Sequence, residues 1–281
     1  MSETTKSKER LEVLERIKAN ELLGGEAFFN DVENDPPFRS LEVGEVDYLN
    51  KTLKKKFQRM IAYQMGQKMR REHNKLNQIT VYGKENLEGI KGGAIITSNH
   101  FGFFESACAS KVKNLLNKKK RLYIVIREGN YFMPNPYGFL FRNCDTLPLS
   151  NNPGVMKEFS IALTEVLKRG HYVLIYPEQS MWWNYRKPRP QRSGAAHFSV
   201  KNNVPIIPCF VTMEDLEKID NDGFPVQKYN VHVMKPLYPD PNLSLKENVK
   251  IMTEKNYEMC KAKYEEVYQK PLVYGESDEV L

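Results

Sequence analysis

The stretch GGAIITSNHFGFFESA, residues 92–107, decides how this chain folds. Its apolar run over residues 93–98 predicts a buried β-strand, and a helical pattern begins near residue 104. Asn99, His100 and Gly102 lie between the two, where a turn from strand to helix accommodates polar side chains and glycine. The stretch therefore predicts one strand-turn-helix unit of an α/β domain.

Four further apolar runs with strand character follow, and helical patterns separate them. Strands that alternate with helices predict an α/β fold, here a single domain over residues 76–281 whose central mixed, largely parallel sheet is flanked by helices. Pro205 and Pro208 each remove a backbone donor from one run, which predicts an edge strand or a bulge near a site. The predicted strands cover 93–98, 122–126, 172–176, 204–211 and 229–234, and the predicted helices cover 104–118, 154–169, 192–202 and 244–269.

Residues 1–75 are predicted to form an N-terminal helical appendage. A first helix over residues 6–23 ends at a Gly-Gly pair, and a second covers residues 47–72. The second helix repeats apolar residues at four-residue steps and carries lysines and arginines on its other faces. Two interpretations stay open: the helix lies on an anionic membrane surface, or its apolar stripe packs on the domain. The stripe consists of Leu49, Leu53, Phe57, Ile61, Met65 and Met69.

The positive charge of the chain is concentrated in this appendage. The chain has a net charge of +7, whereas residues 51–75 hold nine lysines and arginines against Glu72 alone and so carry +8. The remainder is close to neutral, and the basic helix lacks interleaved aromatic residues that would stack on bases. The charge distribution therefore excludes a nucleic-acid-coating protein and indicates one basic element that faces an anionic surface.

Cysteine usage and hydropathy indicate the compartment. The four cysteines have no C-x-x-C spacing, which predicts reduced thiols in a cytoplasmic protein and no structural zinc. No apolar stretch approaches the roughly 20 residues that span a bilayer, and the first residues lack the pattern of a signal peptide. We therefore expect a soluble or peripheral protein.

His100 and Glu105 are the first candidates for chemistry. On a continuous helix, residues five apart point about 140° away from each other around the axis and cannot meet squarely. At a strand-to-helix turn, however, the carboxylate of Glu105 can fold back onto the imidazole of His100. It would then fix the tautomer of the ring and stabilise the imidazolium. A structural histidine-carboxylate pair is the alternative interpretation.

A second candidate region is YPEQSMWWNYRKPRPQRSGAAHF, residues 176–198. Glu178 directly follows a predicted strand, and the loop after it contains two tryptophans and several basic residues. Arginines in a proline-stiffened loop beside a helix N-terminus suit an anionic group, above all a phosphate. A solvated loop with tryptophans in the core is the alternative. The basic residues of the loop are Arg186, Lys187, Arg189 and Arg192.

Taken in order, these pieces resemble the glycerophospholipid acyltransferase family, which includes the 1-acylglycerol-3-phosphate acyltransferases. The resemblance covers roughly residues 78–235. Two blocks depart from the family. Most members have aspartate at the position of Glu105. A glutamate at this position resembles the lipid A late acyltransferases and the mycobacterial mannoside acyltransferases. Gln179-Ser180-Met181 stands where the family has Gly-Thr-Arg, and Ser150 falls about where an acceptor-binding arginine is expected. The matching positions are Asn99-His100, Glu105, Gly138, Tyr176-Pro177-Glu178, Gly194-Ala195 and Val204 to Pro208.

The resemblance implies an O-acyltransferase that needs no cofactor and no metal. His100 would be the general base and Glu105 its orienting partner, with acyl-CoA or acyl-carrier protein as the acyl thioester donor. The acceptor would be the hydroxyl of a lysophospholipid or glycerol-phosphate-type lipid, and the enzyme would act peripherally on the cytoplasmic face of a membrane. A glycolipid or other hydroxyl acceptor, and a catalytically inactive lipid-binding relative, are the alternatives. A serine esterase is disfavoured because no G-x-S-x-G motif is present. Substrate binding is expected from Glu178, Gln179, Ser180, Arg186, Arg189 and Arg192.

Overall fold

Seven strands form one sheet at the centre of the computed structural model, which describes residues 6–34 and 36–275. Their order across the sheet is β1-β7-β6-β2-β5-β3-β4, and every neighbouring pair is parallel except β6 and β7, which form an antiparallel hairpin. The predicted mixed, largely parallel sheet is thereby confirmed. The strands are β1 (Thr80–Tyr82), β2 (Ala94–Thr97), β3 (Leu122–Arg127), β4 (Thr146–Leu149), β5 (Tyr172–Ile175), β6 (Ile206–Ile219) and β7 (Pro225–Val233).

Eight α-helices surround the sheet or precede it within the described residues. The six predicted helices are all present, and α4 and α5 are short helices that the sequence patterns missed. The predicted start of the second helix at residue 47 is wrong. Helix α2 begins at Leu53 because the Thr52 hydroxyl accepts a hydrogen bond from the backbone N–H of Lys55 and caps it. The helices are α1 (Lys8–Leu23), α2 (Leu53–Leu76), α3 (Ser106–Leu116), α4 (Glu128–Tyr131), α5 (Tyr137–Asn143), α6 (Pro153–Lys168), α7 (Gly194–Asn202) and α8 (Leu245–Tyr268).

The sheet carries a hydrophobic core on each face. Consecutive residues of a strand point to opposite faces, so Ile96 of β2 packs with Val112 of α3, whereas Ile95 packs with Phe159 of α6 and Ala195 of α7. All five of these residues are buried. Strand β2 is thus covered on both sides, which explains its continuous apolar run.

The edge-strand alternative predicted from Pro205 and Pro208 is wrong, and the irregularity in the pairing of β6 with β7 lies between Asp215 and Ile219, away from the prolines. Strand β6 lies inside the sheet between β7 and β2. Pro208 is tolerated there because it lies at the very start of the β6–β7 ladder. Its carbonyl still accepts a hydrogen bond from the N–H of Met234 at 2.9 Å, and only the outermost donor of the ladder is lost. Pro205 lies just before the strand, and its carbonyl accepts from Ile95 N–H at 3.0 Å.

His232 of β7 should make folding stability depend on pH. Burial lowers the pKa of His232 to about 4, and its Nε2 lies 2.9 Å from the Thr212 hydroxyl. The folded state therefore favours the neutral ring, while the unfolded state takes up a proton near pH 6.5. We expect the free energy of unfolding to fall as the pH drops from about 6.5 to 4. The loss attributable to this residue is about 2 kcal/mol once its partial exposure is allowed for.

Urea unfolding at pH 7 and at pH 4.5 measures this loss. His232→Gln, which keeps a polar group opposite Thr212, should lose less stability between the two pH values than the wild type. His197→Gln, at an exposed position of α7, serves as the control. Equal losses in the wild type and His232→Gln would contradict the assignment.

Candidate active site

His100 lies in the turn between β2 and α3, at the carboxyl end of a central strand of the sheet. The side chain of Asn99 fixes this turn. Its Oδ1 accepts a hydrogen bond from the N–H of Val211 at 2.8 Å, and its Nδ2 donates to the Val211 carbonyl at 3.0 Å. Because Val211 belongs to β6, the sheet itself sets the position of His100.

Glu105 stands immediately before α3 and folds back over the turn. Its Oε1 makes a short hydrogen bond with Nδ1 of His100. Its Oε2 accepts hydrogen bonds from the backbone N–H groups of Phe101 and Gly102, the latter at 2.7 Å. The carboxylate is almost fully buried, with 3% of the side chain exposed. One carboxylate therefore fixes both the imidazole and the loop that carries it, and Nε2 of His100 is left for a substrate.

Tyr176 lies against the ring of His100, a contact that the sequence patterns did not predict. The two rings stack with centroids 4.2 Å apart and planes 10° apart. Burial and the neighbouring Glu105 carboxylate raise the pKa of Tyr176 well above its usual value, so the phenol stays neutral and its hydroxyl interacts with Glu105. Tyr176 directly follows β5, which pairs with β2. The order of the strands in the sheet brings the two residues together, and that order cannot be read from the sequence around either residue.

Glu178 and Arg189 form a buried ion pair that holds the backbone of His100. Glu178 Oε2 accepts the N–H of His100 at 3.1 Å, and Oε1 accepts the N–H of Arg189 at 2.9 Å. The Arg189 guanidinium lies 3.1 Å from the Glu178 carboxylate and 3.4 Å from the His100 carbonyl. Burial raises the pKa of Glu178 and lowers the pKa of Arg189, and each charge opposes the shift of the other. We call this pair the Glu178–Arg189 strut.

Comparison with known protein families finds a match over just under half of the chain. Residues 78–212 match the sequence model of the family described as Acyltransferase, and these residues include His100, Glu105 and the Glu178–Arg189 strut. This part of the chain is similar in sequence to the acyltransferase family. The match confirms the acyltransferase resemblance that the ordered motifs indicated.

One solved structure similar to this acyltransferase is described as the 1-acyl-sn-glycerophosphate (LPA) acyltransferase PlsC from Thermotoga maritima. The match covers 78% of this chain and 90% of that chain, with 16% sequence identity and a TM-score of 0.52. At this identity the likeness shows a shared fold. A comparison with the curated proteins found no match.

Of the three arginines in the loop after Glu178, only Arg192 lies at the acyltransferase cleft, whereas the sequence predicted all three there. Arg186 donates to Asp215 at 2.7 Å, and the Arg189 side chain is fully buried in the strut. Arg192 reaches the cleft wall but pairs with Glu26, with one nitrogen-oxygen distance of 3.1 Å. Of the six residues predicted to bind substrate, Gln179, Ser180 and Arg192 line the cleft, whereas Glu178, Arg186 and Arg189 do not.

A cleft of about 1050 Å³ opens in front of His100. Phe103 and Phe104, which follow His100 in the same turn, line it, while Phe101 and Trp182 are buried in the core and Trp183 reaches the wall. The cleft also extends between the sheet and the helices α6 and α7, where its lining is apolar. That part is lined by Val125, Leu149, Met156, Phe159, Ile175 and Phe198. Within the described ranges, no three His, Cys, Asp or Glu side chains are arranged to hold a metal ion.

The segment that follows α1 contacts the acyltransferase domain at the strut. The Phe28 carbonyl accepts from the Arg189 guanidinium at 2.8 Å, and the Asn30 carbonyl accepts from the Trp182 indole N–H at 3.0 Å. Glu21 pairs with Lys187 at 2.7 Å, and both side chains are buried. These contacts cross the predicted boundary between residues 75 and 76, and that boundary stays a prediction.

Proposed function

We propose that this acyltransferase moves a fatty acyl group from an acyl thioester to the hydroxyl of a lipid acceptor, with His100 as the general base. The observation that carries the proposal is the contact between Glu105 and Nδ1 of His100 at the mouth of a cleft large enough for an acyl chain. A proton on Nδ1, held by the carboxylate, leaves the lone pair of Nε2 free to accept a proton.

The proposed reaction balances with this single base. Nε2 of His100 takes the proton of the acceptor hydroxyl while the hydroxyl oxygen attacks the thioester carbonyl carbon. The tetrahedral adduct then breaks its carbon-sulfur bond, and the leaving thiolate receives the proton from the imidazolium. The products are an ester and a free thiol. The Glu105 carboxylate stabilises the imidazolium that exists between these two steps.

The strut and Tyr176 support this role without contacting the reacting atoms. Glu178 and Arg189 hold the N–H and carbonyl of His100, so they fix the peptide plane from which the imidazole extends. Tyr176 fixes the plane of the ring by stacking. We therefore propose Glu178, Arg189 and Tyr176 as positioning residues. For Glu178 and Arg189, this role replaces the direct substrate contact expected from the sequence.

The acceptor is proposed to be a lysophospholipid or glycerol-phosphate-type lipid, or alternatively a glycolipid or another hydroxyl compound. The family assignment supports a lipid acceptor, and the solved neighbour is described as acting on 1-acyl-sn-glycerophosphate. An inactive lipid-binding relative would have no need to orient a histidine with a buried carboxylate. The His100–Glu105 geometry thus favours an active enzyme.

Release of free thiol tests the proposed function. The protein is incubated with palmitoyl-CoA or palmitoyl-acyl carrier protein and a panel of lysophospholipids, glycerol 3-phosphate and monoacyl glycolipids. Acceptor-dependent thiol release with one of the two donors, together with formation of the matching ester, supports the proposal. If neither donor is consumed with any acceptor, the protein is not the enzyme proposed here.

Helix α2 gives the enzyme a surface suited to an anionic membrane on the cytoplasmic side. Its buried residues are small, Ala62 and Gly66, whereas its bulky apolar residues face outward. Leu53, Phe57 and Ile61 are 83%, 61% and 40% exposed. An apolar stripe of this kind beside lysines and arginines favours peripheral binding over packing on the domain. No helix within residues 6–34 and 36–275 is both long and apolar enough to cross a bilayer.

Vesicle co-sedimentation should show reversible binding to vesicles that contain phosphatidylglycerol. Raising the salt concentration to about 0.5 M should weaken it, because salt screens the attraction between the basic residues and the lipid. Leu53→Ser/Phe57→Ser should weaken binding by at least about tenfold, since two bulky side chains no longer leave water. Ile161→Ser/Leu245→Ser removes exposed apolar residues of α6 and α8 and should bind like the wild type. Binding that ignores salt would contradict the electrostatic part of the proposal.

A further inference from the structure

The charge of the cleft wall is the opposite of what a phosphate-bearing acceptor requires. Among the described residues that line the cleft, three are arginines, none is a lysine, and six are carboxylates. Each arginine is already paired: Arg10 with Glu33 at 2.8 Å, Arg127 with Asp31 at 2.8 Å, and Arg192 with Glu26. The cleft wall therefore has excess negative charge. Its carboxylates are Glu9, Asp31, Glu33, Glu105, Asp220 and Asp222.

These carboxylates reach the wall beside the catalytic turn. The N–H of Trp182 donates to the carbonyl of His100 at 3.0 Å, so the next residue, Trp183, stands at the edge of the site. The Trp183 ring packs on Phe224 with centroids 5.0 Å apart. Phe224 follows the turn between β6 and β7 that carries Asp220 and Asp222, and Arg10 of α1 lies over the Trp183 ring at 5.3 Å. The acidic wall is thus continuous with the loop that holds His100.

The polar side chains of this wall offer several acceptors of hydrogen bonds. The unpaired carboxylates accept but do not donate, and the amides of Asn34, Gln179 and Asn184 line the cleft with them. Hydroxyl groups satisfy such a wall because each donates a proton to a carboxylate or an amide oxygen. A phosphate monoester does not, because its two negative charges would face carboxylates, and each lysine or arginine that lines the cleft in the described part of the chain is already paired.

We infer that the acceptor of this enzyme carries an uncharged polyhydroxylated headgroup, such as a sugar or glycerol moiety, and not a phosphate monoester. The inference rests on the proposed function, since it concerns the acceptor in the cleft of His100. The inferred neutral headgroup explains why the loop after Glu178 lacks the arginine that the family has at this place. It also explains why Arg186 and Arg189 are committed to Asp215 and Glu178.

A matched pair of acceptors tests this inference. One is 1-oleoyl-sn-glycerol 3-phosphate, and the other is 1-oleoylglycerol with one glucose in place of the phosphate. Both are presented in the same phosphatidylcholine vesicles to the full chain with palmitoyl-CoA or palmitoyl-acyl carrier protein. We expect kcat/KM for the neutral acceptor to exceed that for the phosphate acceptor by about tenfold or more at low ionic strength. Equal or better use of the phosphate acceptor overturns the inference.

A variant with reversed charges at the cleft wall provides a second test of the inference. Glu9 and Asp220 are exposed at the wall and have no salt-bridge partner among the described residues. Glu9→Lys/Asp220→Lys should shift the ratio of kcat/KM values about tenfold toward the phosphate acceptor. Glu254→Lys/Glu258→Lys makes the same charge change on α8, away from the cleft wall, and should leave the ratio as in the wild type. An unchanged ratio in the wall variant also overturns the inference.

The failure of this inference is distinguishable from failure of the proposed function. Thiol release that depends on His100 and on the phosphate acceptor alone would overturn the acceptor class and leave the proposed function in place. Absence of donor consumption with both acceptors overturns the inference, and absence with the whole acceptor panel overturns the proposed function as well.

Discussion

His100→Ala is expected to lower kcat for acyl transfer by about 10²–10⁴-fold, the usual contribution of a positioned base. The variant removes the imidazole held by Glu105, while the Glu105 carboxylate keeps its hydrogen bonds to the N–H groups of Phe101 and Gly102. The turn should therefore keep its shape, and the melting temperature should stay close to that of the wild type. Thiol release at saturating donor and acceptor measures the loss.

Glu105→Gln separates two roles of Glu105: its negative charge beside His100, and its hydrogen bonds to the backbone of the turn. The amide can still accept backbone hydrogen bonds, but it carries no charge to stabilise the imidazolium. We expect a loss of kcat on the order of 10²–10⁴-fold with a smaller change in KM. His197→Ala, at an exposed histidine of α7, is the matched control and should retain full activity. If His100→Ala keeps more than about a tenth of the wild-type kcat, His100 is not the base.

Breaking the Glu178–Arg189 strut is expected to cost both stability and activity. Glu178→Gln leaves the Arg189 guanidinium buried without a counter-charge, and Arg189→Met leaves the Glu178 carboxylate in the same state. Removing one partner of a buried ion pair typically destabilises by about 3–5 kcal/mol. Urea unfolding of each single variant measures this loss.

The double variant separates stability from positioning. Glu178→Gln/Arg189→Met removes both charges, so most of the lost free energy of unfolding should return. The kcat should stay reduced by up to about 10²-fold with little change in KM, because His100 has lost the guanidinium at its carbonyl and the carboxylate at its N–H. If kcat returns together with stability, the strut serves folding only.

The turn at His100 was predictable because all its determinants are local. An apolar run, a glycine and a helical pattern within residues 92–107 are sufficient to place His100 and Glu105 at a turn and to predict that their side chains meet. The stack of His100 on Tyr176 was not predictable, since it depends on β5 lying next to β2 in the sheet. Sheet order is determined by the packing of the whole chain.

The loop arginines show a different reason for failure. Their charge and their proximity to Glu178 are visible in the sequence and are typical of a phosphate site. The carboxylates that neutralise Arg186 and Arg192 are those of Asp215 and Glu26, which are far away in the sequence. The apolar stripe of α2 is a related case. Its periodicity identifies the residues that share one face of the helix. It does not show that the opposite face, with Ala62 and Gly66, is the one that packs on the domain.

The carbonyls of Phe28 and Asn30 have a practical consequence for anyone who divides this chain for expression. A fragment that begins near residue 76 contains every residue of the family match, yet it lacks the acceptors for the Arg189 guanidinium and the Trp182 indole. It also lacks Glu21, the buried counter-charge of Lys187. We therefore expect such a fragment to be less stable than the full chain, and swaps between relatives should carry residues 8–34 along with the loop that holds His100.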